Sequence, residues 1–420
     1  MQKLNLDFKH INAMKKIKTV TIIFLICTAF YGCLREHSTD SLAVKLTLKA
    51  ELPEGFEGLN LTEVRVQMIS KSGAIYRQTL DENGIAIFDA QSGPYRIVLS
   101  GRAFDDSLGR LNIVGGVDEF MLLPEGILES GGTFSPLQKT AKLNIAMASP
   151  LIIREIYWAG CEALNLGGTY AFDQYVEVYN NSQNTVYLDS LFIGTLAPAN
   201  SSVPINAWAG MDTIGLFSNV FMVPGNGRTH PLAPGEGAVF ATNAVDHSRL
   251  ASSGLRLDKA HFALYHPDFT HFSVSAPAPG VVTLQRIGVA QGTAHSWSVS
   301  SPAFVIFRIP DLQEWRTNTS RWRKFQPGLS SGILYWHIHK DWILDGVECI
   351  TRPTALNLSK RQPITVDASY TWLRRGQYQG NVVRRKIEEI LPDGRIVYQD
   401  TNNSEEDFET DVPPNPALRP

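Results

Sequence analysis

The chain has 420 residues, enough for two or three domains at the usual ~100–200 residues each. Its 44% apolar and 19% charged residues are ordinary for a globular chain that buries a core, and 33 Gly and 23 Pro favour turns over long helices. A formal charge of −3 argues against nucleic acid or an anionic membrane surface as the main partner.

Residues 1–33 read as an extension followed by a lipoprotein signal peptide. Met1 to Ala13 is polar, and Met14 reads as the start of the signal. Lys15, Lys16 and Lys18 form a basic stub. The apolar run from Thr19 to Phe30 is shorter than the ~20 residues of a membrane span. Gly32-Cys33 then looks like a relaxed bacterial lipobox, in which cleavage before Cys33 leaves its thiol to be acylated. The competing readings are a plain secretory signal and an N-terminal anchor helix. Acyl chains at Cys33 would hold the protein on outer-membrane lipid. Leu34 after the cysteine fits outer-membrane sorting, and residues 34–40 form a tether; which leaflet the protein faces stays open. Cleavage removes five Lys and one Asp from 38 basic and 41 acidic side chains, which leaves a formal charge of −7. It also leaves Cys161 and Cys349, candidates for one disulfide in an oxidising compartment, against two separate buried thiols.

Residues 41–149 read as one β domain. Val44–Leu48 and Val64–Met68 alternate apolar and polar, Asp81-Glu82-Asn83-Gly84 is a turn signal, and strands follow at Ile85–Phe88 and Gly93–Leu99. This order, Asn-Gly before Ile-Ala-Ile-Phe and then Gly-Pro-Tyr-Arg-Ile-Val-Leu-Ser-Gly, resembles prealbumin-like modules. Such modules act as spacers or adaptors, and no catalytic constellation stands out in this region.

Pro150 opens a larger β region, residues 150–410. Leu151–Ile156 leads in, and Gln174–Ser182 and Val186–Asp189 read as a hairpin. Its Val176 and Val178 should face a core, with Glu177 facing out or pairing across the sheet. Leu232–Phe240 and Asp341–Glu348 follow. The ordered set resembles lamin-tail-like immunoglobulin sandwiches. The Ser-, Pro- and Gly-rich stretches 197–231 and 251–310 read as long loops or inserted strands at one end of this domain, where binding function tends to live. Residues 411–420, with four Pro, read as a flexible tail. The expected fold is all-β, two antiparallel sandwiches. With the segments Arg154–Cys161, Ala244–His247 and Arg384–Phe408, the whole mature chain resembles a Bacteroidetes-type family of uncharacterised envelope lipoproteins. That resemblance implies a fold and an envelope address, and by association a TonB-dependent receptor barrel as partner. It lends no catalytic residue.

Two groups of side chains stand out chemically. His337 and His339 share one face of a strand and could bind Zn or Cu, given a third ligand from His261, His266 or His271. The competing reading is two polar residues flanking Ile338. Trp315, Trp322, Trp336 and Trp342 lie close in sequence with Arg316, Arg321 and Arg323. They read either as anchors for a ligand or partner or as core. The oxygen-rich run Asp400–Asp407 spaces its side chains as calcium loops do but lacks Gly at the sixth position, so an Asx-turn is the better reading. No zincin, phosphate-loop or deaminase motif occurs. The expected function is a lipid-anchored outer-membrane binding or accessory protein, not an enzyme. The alternatives are a metal-binding envelope protein and a lipid-anchored hydrolase.

Overall fold

A computed structural model describes residues 43–420 apart from 130–131, 166, 202–207, 209, 289–291 and 352–359. The expected signal peptide, Cys33 and the tether lie outside the described residues.

The alternation at Val44 runs through Val44–Glu51, where every second side chain is buried. This strand belongs to a nine-stranded sheet. Its order is Ile75–Thr79, Arg65–Ser70, Gly93–Asp105, Gly109–Leu123, Gln138–Met147, Val44–Glu51 and Ile85–Ala90, with two short strands beside Gly109–Leu123. Val44–Glu51 and Gln138–Met147 run parallel, which no tight turn can connect; the intervening strands supply the crossover. Ile75–Thr79 and Ile85–Ala90 stand at opposite edges, yet only residues 80–84 join them, so the sheet must curl on itself. It closes over Leu46, Met68, Phe88, Ile97 and Ile113. Asp81 makes the joining turn, its Oδ1 accepting the N–H groups of Asn83 and Ile85 at 2.8 Å, and Gly84 takes the left-handed φ of +71°.

From Leu151 onward two sheets face each other. One has seven strands, in the order Val282–Thr283, Phe262–Ala263, Gly237–Ala241, Tyr175–Asn180, Leu151–Tyr157, Val382–Arg385 and Phe408–Val412. The other has eight, centred on Thr213–Met222, Phe192–Leu196, Ala303–Phe307 and Ile343–Ile350. Ile153, Val176 and Val178 of the first meet Ile193, Phe221, Phe304 and Val347 of the second. The protein is therefore all-β, built of sandwich-type sheets. Two short helices, Leu312–Thr317 and Thr319–Trp322, pack on the outer face of the eight-stranded sheet.

Three expectations are corrected. Tyr175–Asn180 and the segment after it are not a hairpin: Val186–Tyr187 pairs with Pro231–Leu232, and Phe192–Leu196 crosses to the other sheet. Of the two readings of residues 197–231 and 251–310, long loops or inserted strands, Thr213–Met222 and Ala303–Phe307 are strands, but central ones rather than insertions at one end, since their apolar side chains fill both faces. The tail beyond Val412 is not a loose end but a strap hydrogen-bonded across the outer face of the seven-stranded sheet. Glu177 accordingly lies fully buried beneath it.

Candidate ligand-binding loop end

At one end of the seven-stranded sheet the chain leaves Leu151–Tyr157 through a tight corner. Gly160 has φ +72°, and a Cβ there would sit 2.3 Å from the carbonyl oxygen of Tyr170. Only glycine allows this approach. The corner pairs Cys161–Glu162 with Thr169–Tyr170. It also brings together a buried polar group that the sequence spreads from Tyr157 to Ser253.

Asp173, fully buried, accepts the Ser253 hydroxyl at 2.6 Å and lies 3.5 Å from the Cys161 thiol. Burial raises its pKa, opposed chiefly by the Ser253 hydrogen bond. His247 is equally buried. Its Nε2 faces the Asn243 carbonyl at 2.8 Å and must donate, so Nδ1 accepts from the Tyr170 hydroxyl at 2.8 Å. Burial lowers the pKa of this neutral ring. Both of its nitrogens are engaged, so the imidazole is not placed to take a proton from Cys161. This group fixes the loops.

Above it a ladder of rings climbs to the surface. Tyr170 meets Phe172 edge-on at 5.7 Å, Phe172 stacks on His271 at 5.3 Å, and His271 stacks on Phe272 at 4.5 Å. Phe272 is 91% exposed. His271 is held by its N–H to the Thr293 carbonyl and by Nδ1, which accepts the Ser273 N–H at 3.2 Å. Leu164 and Leu250 are exposed on adjoining loops, joined by an N–H to carbonyl bond of 2.9 Å. Leaving a Phe side chain in water forgoes about 1.5–3 kcal/mol of burial energy. An exposed ring is a ready surface for another flat apolar face.

Of the residues singled out from sequence, His271 and Cys161 lie here and the others fall elsewhere. His337 is buried on Tyr335–His339, with Nδ1 3.1 Å from the Thr213 hydroxyl and its ring edge-on to Trp208. Burial, aided by Lys324, pulls its pKa down to about 4. His339 is half-buried and caps the next turn through the Asp341 N–H. His261 sits instead beside the Val239 N–H, and His266 beside Asp268. Among the described residues no group of three His, Cys, Asp or Glu is arranged to hold a metal ion.

Trp315 and Trp322 are buried, and their Nε1 atoms donate to the His337 carbonyl at 2.7 Å and to Glu314 at 2.6 Å. Trp336 and Trp342, half-buried, stack on them. The four rings thus clamp the helices onto the eight-stranded sheet, and their core reading holds. The expected disulfide is corrected: Cys161 and Cys349 are free buried thiols. Cys161 turns to Asp173, whereas Cys349 lies among apolar neighbours in the central core. The oxygen-rich loop turns its carboxylates on Arg385. Asp400 and Asp407 each lie 3.2 Å from the guanidinium, and Asp407 also accepts the Thr401 N–H.

Sequence reasoning missed the ladder because its rings lie about a hundred residues apart. The available signal was the adjacent pair His271-Phe272 in a polar loop.

Residues 233–415 match the family described as "Protein of unknown function (DUF4876)". The crystal structure of a DUF4876 family protein from Bacteroides thetaiotaomicron is similar at 25% identity and a TM-score of 0.58, over 90% of this chain and 98% of that one. Among curated proteins nothing matches. The match covers residues 233–415 of this chain, and the family's description assigns no function.

Proposed function

We propose that the protein is a lipid-anchored outer-membrane binding or accessory protein, held by acylated Cys33, whose loop end grips its ligand or receptor. The observation that carries this reading is Phe272, 91% exposed at the top of a ring ladder mounted on buried hydrogen bonds. The lipobox supports the anchor. Among the described residues no helix is long and apolar enough to cross a membrane. A TonB-dependent receptor barrel is the partner proposed from the resemblance, which makes uptake of a nutrient the proposed context.

The test is a pull-down from outer membranes with the tagged, lipidated chain and mass spectrometry of what elutes. Near-stoichiometric recovery of such a barrel, lost with Phe272→Ala, is the expected result. Recovery that is indifferent to Phe272→Ala would move the site elsewhere, and absence of any barrel would count against the accessory role.

A further inference from the structure

The outer face of the seven-stranded sheet carries four charged side chains with little access to water: Arg154, Glu155, Glu177 and Arg384. Their charges cancel, and Arg154 and Arg384 each pair with Glu155. What completes them is backbone. Arg384 donates to the Pro413 carbonyl at 2.6 Å, and Arg154 to the Asn415 carbonyl at 2.6 Å. Glu155 accepts the Asn415 N–H at 2.8 Å and Glu177 the Ala417 N–H at 3.0 Å. Further on, Arg419 donates its guanidinium to the carbonyls of Ala260 and Asp258, and its N–H to that of Lys259. Leu418 packs on the apolar cluster around Leu257 and Ala260.

The groove is shaped for this occupant. A Cβ on Gly237 would meet Glu177 at 2.2 Å and the Ala417 methyl at 3.2 Å; one on Gly280 would meet Arg419 at 2.5 Å. The pairing is not a sheet ladder. Charged side chains read the donors and acceptors of alternate residues of an extended chain, and proline removes the N–H at the positions that are not read. That is how a bound peptide is held. Residues 413–419 form no strand of their own, so they can lift away while every ladder of the sheet stays intact.

We infer that this face is a peptide-recognition groove, filled by residues 413–419 of the same chain and able to take an extended, proline-spaced peptide with an arginine at the Arg419 position from another molecule.

The test uses the full chain carrying Ala417→Pro and Arg419→Ala, which removes the Ala417 N–H and the arginine contacts, and a fluorescent peptide of residues 411–420, DVPPNPALRP. Saturable binding to the variant is expected, at least about ten-fold weaker to the unsubstituted chain, whose own tail competes at high effective concentration. The same peptide with its arginine changed to alanine should also bind about ten-fold more weakly. A folded variant that binds no peptide, or binding indifferent to that arginine, overturns the inference. If the variant does not fold, hydrogen exchange on the unsubstituted chain decides. The Asn415 and Ala417 amides should exchange at least about 100-fold faster than those of Tyr175–Asn180. Equal protection would make the strap an inseparable part of the fold and overturn the groove.

Discussion

Asp189 shows how one side chain can organise a crossing between sheets. It is buried, and its oxygens accept the N–H groups of Thr229 and His230 at 2.9 Å and of Gly227 at 3.1 Å. Burial alone would raise its pKa; the His230, Thr229 and Gly227 donors outweigh that and hold it well below the usual carboxylate range. Gly225 must be glycine, because a Cβ would fall 1.8 Å from Asp189 Oδ1. Since the folded state favours the ionised form, the stability from Asp189 is present above about pH 4 and is lost as pH falls below it. Asp189→Ala should cost about 1–3 kcal/mol in urea unfolding at pH 7, and the deficit should shrink at pH 3. A deficit equal at both pH values would show that the charge is not what counts. The aromatic residues divide on the same scale. Trp315→Ala should cost about 3–5 kcal/mol, as a buried ring lost from a packed core. Phe272→Ala should stay within about 0.5 kcal/mol, measured by the same unfolding curves.

Among elements, the last strands are welded to the sandwich by Arg385. It sits fully buried on Val382–Arg385 and donates to both oxygens of Asp345 at 2.9 Å, to Asp400 and Asp407, and to the Ile153 carbonyl. At Asp345 and Asp407 burial raises the pKa, and the guanidinium opposes it without cancelling it. Arg385→Met should therefore cost about 3–5 kcal/mol at neutral pH, since three acids would be left without their cation. Asp345 and Asp407 would then hold protons still more tightly in the folded than in the unfolded state. Both chains should gain stability as pH is lowered from 7 to 5, and the variant more steeply. Thermal melts across that range check the sign. The oxygen spacing of Asp400–Asp407 was visible in the sequence, and the lack of Gly at its sixth position already favoured a turn over a cation site, without showing what the carboxylates face. A guanidinium arriving from a strand outside the run decided it.

On the scale of the whole molecule, the curled sheet and the sandwich share a seam. Arg65 pairs with Glu406, Arg77 with Glu405, and Arg102 and Arg110 both with Glu388. Buried within it, Asn112 bonds Asn402 and Ser100 bonds Asn403. Exposed ion pairs are worth little each and are screened by salt. The apolar contact of Ile69, Val98 and Val114 with Ala368 is not screened. A piece of the chain ending at Ser149 should therefore expose this patch, bind a hydrophobic dye and self-associate, and Val114→Lys should suppress both. A monomeric, dye-silent piece would show that the seam does not need its apolar centre. The strands of the first sheet were legible because one face is core and the other polar, so apolar residues recur every second position. The same alternation marked Tyr175–Asn180 and put Glu177 on the outer face, where it pairs with Arg154 across the sheet, but it gave no sign of the strap, residues 413–419, that buries the pair. Local alternation and turn chemistry by themselves determined that this protein is all-β and where several of its longer strands begin. Which distant strands pair, which charges are buried together and which rings stay in water were decided only in three dimensions, because each depends on groups far apart in the chain that no local pattern encodes.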